Sequence, residues 1–226
     1  MKCAMVQLPR LSDAEVSYEG APIRWLRHPL YACLGLRPAL AQHTAAEHAA
    51  IKKWSAGRRA LVELGVAEGV SALAMREGMS DDGTLYLIDP FHLSRLPALN
   101  FSRRAAQKAV ASCDRGSVIW IQKFSHQAAS DWNAPIDFLM IDGDHSDLGV
   151  QTDWEDWSRF VAPGGVVIFH DARVFDDGWT NPSYGPVKFV NRLFRAGQAQ
   201  GWEIIDEVHS LVVIARRAPV HTDLAE

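Results

Sequence analysis

The chain has 226 residues, 48% of them hydrophobic and 22% charged, which suits one globular domain with about forty residues to spare. This composition excludes an intrinsically disordered chain, a collagen and a disulfide-stapled mini-protein. Lys and Arg number 23 against 27 Asp and Glu, and the resulting charge of −4 gives no global pull toward nucleic acid or anionic lipid, so a small-molecule partner is expected.

Residues 1–42 carry Pro9, Pro22, Pro29 and Pro38 and no sustained periodicity, which predicts a loop-rich extension with short helical pieces at most. Thr44 and Glu47 have capping-box spacing and open a helix over Ala45–Trp54. A short apolar strand follows at Ala60–Leu64, then a glycine turn and a helix that includes Val70, Leu73 and Ala74. The same strand–turn–helix unit recurs. TLYLIDPF is a second strand, and Phe101–Cys113 a helix. Ser117–Gln122 is a third strand, followed by a polar stretch. IDFLMID is a fourth strand, with a Trp-rich helix over Gly149–Val161 stopped by Pro163-Gly164-Gly165, and GVVIFHD is a fifth. A helix over Val187–Ala199 precedes Trp202–Glu207 and Leu211–Arg216, whose connection is too short for a crossover and therefore makes an antiparallel hairpin. The expected fold is α/β: a Rossmann-like doubly wound sheet of seven strands, mostly parallel, with a C-terminal antiparallel hairpin and helices on both faces. It divides into an extension, 1–43, and a domain, 44–226.

Cys3, Cys33 and Cys113 are odd in number and lack CxxC spacing, which suggests neither a disulfide framework nor a thiolate zinc site. The N-terminus lacks a signal-peptide pattern and no stretch approaches the ~18 apolar residues of a membrane span, so a cytoplasmic location is expected.

Ligands of open α/β sheets sit beyond the carboxyl ends of the strands. Those ends carry Glu63-Leu-Gly65, Asp89-Pro-Phe91, Lys123-Phe124-Ser125, Asp142-Gly-Asp144-His145 and His170-Asp171. The turn from Gly65 to Gly69 lacks the central glycine that lets a pyrophosphate approach, and Glu68 adds negative charge there. A cationic cofactor without a diphosphate suits it better than a dinucleotide. Asp89, 24 residues after Gly65, is placed to accept from both hydroxyls of a ribose, and Phe91 either covers an adenine face or packs in the core.

VELGVAEGVSA, LYLIDPF, DFLMIDGDHS and APGGVVIFHD, in this order and spacing, resemble class I S-adenosylmethionine-dependent methyltransferases. They resemble more narrowly the branch with sugar and macrolide O-methyltransferases and cephalosporin-cluster enzymes. The resemblance covers about residues 44–216. It implies S-adenosyl-L-methionine as cofactor, with Glu63, Gly65 and Gly69 on its methionine half, Asp89 at the ribose, and Ser71, Phe91 and Asp142 as further cofactor-binding residues. Ser125 falls near the adenine, although Lys123-Phe124-Ser125 departs from the family's usual Gly-Asp-Ser. It also implies a divalent cation, Mg2+ or Mn2+, on Asp142, His170 and Asp171. The histidine departs from the usual Glu-Asp or Asp-Asn pair and points toward a softer metal. His145 takes the position of the catalytic base, with Asp142 beside it.

Methyl transfer is an in-line displacement at a sulfonium methyl, so an alcohol acceptor must be aligned and deprotonated. The expected partner is a small-molecule hydroxyl acceptor such as a sugar, glycolipid or secondary metabolite. Trp179 and Tyr184, in the turn-rich stretch after the fifth strand, are candidate acceptor contacts. The N-terminal extension is a candidate lid or homo-oligomer contact. The rival readings are a catechol, amine or nucleoside acceptor on the same fold, and a non-catalytic cofactor-binding module. Tyr184 and Lys188 have the spacing of a short-chain dehydrogenase pair, but Pro186 lies between them and instead opens a helix. Trp154 and Trp157 are expected to pack on the sheet.

Overall fold

The computed structural model describes residues 22–91 and 100–218. Its elements are α1 (Pro22–Leu34), α2 (Ala45–Trp54), β1 (Ala60–Leu64), α3 (Val70–Gly78), β2 (Thr84–Ile88), α4 (Phe101–Val110), β3 (Ser117–Ile121), α5 (Ser125–Ser130), β4 (Ile136–Ile141), α6 (Asp147–Trp157), β5 (Val161–Phe169), α7 (Gly185–Val190), β6 (Trp202–Val208) and β7 (Leu211–Arg216). The strands form one sheet in the order β3-β2-β1-β4-β5-β7-β6. The pairs among β1 to β5 are parallel, and β7 runs antiparallel to both β5 and β6. The expected hairpin is present, but it is β7, the second strand of the hairpin, that joins β5. The crossover direction reverses between β1 and β4, which opens a crevice over the ends of those two strands.

Strand alternation divides the core. Leu61, Phe138, Met140, Val166, Ile168, Leu211 and Val213 pack on one face with Ile51 and Met75. Val62, Leu64, Leu139, Ile141, Val167, Phe169, Val212 and Ile214 pack on the other with Trp154 and Trp157. Both tryptophans are therefore packing residues, as expected. Trp154 also meets Phe194 and Trp202 edge-on, at 5.1 and 4.8 Å between ring centroids.

Several local expectations need correction. The extension contains a 13-residue helix, α1, with Pro22 at its first position and Pro29 inside, and it packs against α4. Helix α6 starts at Asp147 because Ser146 caps it, its hydroxyl accepting from Gly149 N at 2.9 Å. Pro163 and Gly164 do not end the preceding segment; they lie inside β5, where the β4–β5 register shifts between Ile136 and Phe138, so the two residues sit in a bulge. The polar stretch after β3 is helical as α5, and the stretch after α7 continues as a π-helical turn over Asn191–Arg195. Cys113 is disulfide-bonded and Cys33 is free, which corrects the expectation that no disulfide is made. Among the described residues no helix is long and apolar enough to cross a membrane.

Candidate active site

The glycine turn after β1 is shaped by contact with β4. Gly65 has φ +84°, and a Cβ there would fall 2.1 Å from the Asp142 carbonyl oxygen and 2.9 Å from Gly143 Cα. Gly69, at φ +77°, also lies close against α4, with Ala106 Cα 2.9 Å from its missing side chain. Asp89 fastens the turn from β2: Oδ2 accepts from Val66 N (2.9 Å) and Ala67 N (3.2 Å), and Oδ1 from Phe91 N (2.6 Å). A carboxylate has about four acceptor positions, so one remains for an outside donor. Phe91 is 6% exposed and packs against Trp120, placing it in the core. Glu63 is completely buried, and neither of its oxygens has a hydrogen-bond partner. Burial raises its carboxyl well above the usual range, Ser71 offsets only part of this, and Asp142 and Asp89 add to it. Burial therefore favours the neutral form of Glu63.

Glu68 faces away from the ligand side. Its carboxylate accepts from His28 Nδ1 (2.9 Å) and Leu40 N (2.8 Å), which ties the extension to the glycine turn.

The ends of β4 and β5 bring three side chains together. Asp142 Oδ1 lies 3.1 Å from His145 Nε2 and 3.0 Å from His170 Nδ1. The first contact is a hydrogen bond; the second is close but not aligned as one. Burial would raise the Asp142 carboxyl, but His170 and His145 outweigh it and hold it below the carboxylate range. Burial likewise opposes the charge on His170, yet Asp142 and Asp171 push its imidazole up to about 10. His145 is raised in the same way, burial being outweighed by Asp142 and Asp171.

Asp171 stands beside this group. It has a left-handed backbone (φ 53°), its Oδ1 accepts the Trp179 indole N–H at 2.7 Å, and its Oδ2 lies 3.4 Å from His145 Nδ1. Donor atoms of Asp142, His145 and His170 all lie within 4.8 Å of one another, so the group that converges contains His145 in the place expected for Asp171. Ligands about 2.1 Å from one ion are roughly 3.0–3.4 Å apart, and the distances from Asp142 to each of the two imidazoles fit that figure. Two imidazoles and one carboxylate suit manganese or zinc better than magnesium.

Trp179 lines the approach to Asp171, and Tyr184 is close enough that burial and the Asp171 charge together raise its phenol. Trp179 meets Phe175 edge-on, Phe175 stacks on His209, and His209 Nδ1 lies 2.9 Å from the Thr44 hydroxyl. The loop after β5 is thereby joined to the start of α2. Arg173, just past the end of β5 and expected to be solvated rather than to contact a substrate anion, donates to His209 O and pairs with Glu207 at 3.6 Å. Asp144 caps its own loop by accepting from Ser146 N.

The sequence reading missed Glu47 and His43. Glu47 caps α2 as expected, but it is also fully buried, and its Oε1 accepts from Ser210 N (2.8 Å) and Ser210 Oγ (2.6 Å). Ser210 O in turn accepts from Ala172 N and Arg173 N, so one carboxylate on α2 fixes the backbone immediately after Asp171. His43 is 6% exposed and stacks on His48. Burial, followed by the charge of His170, lowers its imidazole to about 3. The capping-box spacing marked Glu47; nothing in the sequence marked its second partner.

Residues 62–172 match the family described as "Methyltransferase domain". A curated relative from Mycolicibacterium paratuberculosis, named "Putative O-methyltransferase", is 32% identical over 121 residues; the match spans 52% of this chain and half of the relative's length. Solved structures share the fold of the methyltransferase domain across most of the chain. A Corynebacterium glutamicum protein aligns with TM-score 0.60 at 15% identity, covering 90% of this chain and 94% of its own. TomG from Streptomyces achromogenes, an O-methyltransferase of tomaymycin synthesis in complex with S-adenosylmethionine, aligns with TM-score 0.56 at 17% identity, covering 91% and 94%. A Bacillus cereus O-methyltransferase in complex with S-adenosylhomocysteine aligns with TM-score 0.55 at 18% identity and the same coverage.

Proposed function

We propose that the protein is an S-adenosylmethionine-dependent O-methyltransferase acting on a hydroxyl of a small molecule, with His145 as general base. The observation that carries this reading is the Asp142–His145–His170 cluster at the ends of β4 and β5, beside the Gly65 turn where the cofactor's methionine half belongs. Asp89 holds the ribose through its remaining acceptor position. The acceptor enters between Tyr184, Trp179 and His145. His145 takes the hydroxyl proton on Nδ1, which lies 3.4 Å from Asp171 Oδ2, while Asp142 on Nε2 orients the ring and stabilises the imidazolium. The acceptor oxygen then displaces the sulfonium methyl in line.

A second reading has its own support in the mutual spacing of the three donors. A divalent cation bound by Asp142, His145 and His170 would lower the pKa of an acceptor hydroxyl coordinated to it. The two readings compete for His145 Nε2. Transfer of labelled methyl from S-adenosylmethionine to pools of sugars, phenols and amines tests the reaction class; label appearing only in amines would refute O-methylation. With an acceptor found, His145→Ala should lower kcat by about 10²–10⁴-fold. Unchanged turnover would remove His145 as base, and full activity after chelation would remove the cation.

A further inference from the structure

Gly185 opens α7 within the Tyr184–Lys188 stretch, and the chemistry above gives it no part. Its φ lies outside the left-handed region, and glycine is a poor helix former, so neither backbone conformation nor helix formation calls for it. Proximity does. A side chain there would begin 2.4 Å from His145 O, from the Ser146 carbonyl carbon and from Asp147 N, all of them backbone atoms of the loop that carries His145. Helix α7 is not free to move aside. Val187, Phe189 and Val190 are buried, Phe189 meets Phe169 of β5 at 5.7 Å between ring centroids, and Arg192, in the π-helical turn after α7, grips the Asp147 carboxylate through two bonds of 3.0 Å.

The chain just before Gly185 reaches His145 from a second side. Residues 172–184 run from Asp171 to Gly185, and Asp171 Oδ2 stands 3.4 Å from His145 Nδ1 while its Oδ1 accepts the Trp179 indole N–H. The segment between is packed on itself. Thr180 is buried and its hydroxyl donates to Arg173 O at 2.7 Å, and a side chain on Gly178 would begin 2.4 Å from the Phe175 ring. Asn181 accepts from Ser183 N on its side chain and from Tyr184 N on its carbonyl. A surface loop packed by its own side chains, with both ends on one neighbour, moves as a unit, so a displacement at Trp179 or Tyr184 is carried to both ends.

We infer that the 172–184 loop positions His145 from both ends: Asp171, held by Trp179, stops the ring, and Gly185 stops the backbone. Gly185 and Trp179 are thus positioning residues, and the proposed acceptor contacts are built into the element that sets the base. The catalytic meaning rests on the O-methyltransferase reading above, with His145 as base; the geometry does not. An acceptor that seats badly on this loop misaligns the base as well as itself. Because a misplacement of about 1 Å can cost about 10²-fold in rate, the same loop selects the acceptor twice, once by contact and once through His145.

The test is the long-range proton–nitrogen correlation spectrum of full-length, chelator-treated protein with labelled histidines, at one fixed pH, with thermal melts to establish folding and calorimetric binding of S-adenosylhomocysteine. Wild type is compared with Gly185→Ala, Trp179→Phe and Gly165→Ala, and His145 is assigned by its loss in His145→Ala. Gly165→Ala is the control, since its side chain would also meet backbone, 2.8 Å from Ala162 O, but near the opposite end of β5. The His145 ring signals should shift in Gly185→Ala and Trp179→Phe and stay in place in Gly165→Ala, with S-adenosylhomocysteine affinity unchanged in all three. With the acceptor found by labelled-methyl transfer, Gly185→Ala should lower kcat by about 10²-fold at an unchanged KM for S-adenosylmethionine. His145 signals that stay in place in either loop variant, that move as far in Gly165→Ala, or that shift without loss of kcat overturn the assignment. So does a Gly185→Ala protein that no longer binds S-adenosylhomocysteine, because the whole crevice has then moved. If Gly185→Ala does not fold, Trp179→Phe decides, and an unmoved ring signal is negative. Shifted signals together with full turnover in His145→Ala refute the base and uphold the positioning.

Discussion

Replacing Gly65 by Ala isolates the contact on which the crevice depends. The substitution carries two costs. An L-residue at φ +84° costs about 1–2 kcal/mol. The new Cβ would also fall 2.1 Å from the Asp142 carbonyl oxygen, where ordinary contact begins near 3.4 Å, so β1 or β4 must move by about 1 Å, an overpacking cost of about 1–3 kcal/mol. The sum, about 2–5 kcal/mol, is a large part of a typical domain stability of roughly 5–15 kcal/mol. Gly164→Ala is the internal control: φ is +78° but nothing lies within 4 Å, so only the conformational cost applies. Urea melts should show Gly65→Ala less stable than Gly164→Ala by about 1–3 kcal/mol. Binding of S-adenosylhomocysteine should fall in the first variant alone, because the displaced carbonyl belongs to Asp142. Equal destabilisation of the two variants, or a Gly65→Ala protein that binds as the wild type does, would refute the reasoning.

Asp142→Asn removes the charge between two imidazoles and, in metal-free protein at pH 6, should cost about 3–5 kcal/mol, as for other broken buried pairs. Because the folded pKa of His170 is raised from 6.5 to about 10, its contribution is complete below pH 6.5 and is lost as pH rises toward 10. The gap between wild type and variant should therefore narrow above pH 6.5, and an equal gap in urea melts at pH 6 and pH 9.5 would contradict this. Glu47→Ala strips Ser210 of its buried acceptor and should cost about 1–3 kcal/mol. It should also change the near-ultraviolet signal of Trp179, whose indole is held by Asp171; an unaltered signal would break the link through Ser210. Glu68→Ala releases His28 and Leu40, so limited proteolysis should cut within 28–43 well before the sheet melts, whereas cleavage at the wild-type rate would show that the latch is not needed.

The order of strands and helices was legible because each apolar run is short and bounded by turn residues, and because alternation along β1, β4, β5 and β7 matches a sheet buried on both sides. The errors fell where local signals conflict with packing. Pro29 does not break α1, which is held against α4, and Pro163-Gly164 makes a bulge and not a stop because β4 continues to pair across it.

For the site, sequence alone determined which side chains stand at the strand ends, since the carboxyl ends of parallel strands share one edge. Tertiary structure decided how they combine. His145 converges with Asp142 and His170, while Asp171 is held beside them by the Trp179 indole on one oxygen and by Glu47, through Ser210, on the backbone behind it. Burial raises the Glu63 carboxyl, and α6 brings Asp153 to Ser125 across 28 residues of chain. A one-dimensional pattern records periodicity and turn chemistry, whereas partner choice and burial depend on contacts between elements far apart in sequence, and those exist only once the sheet has closed.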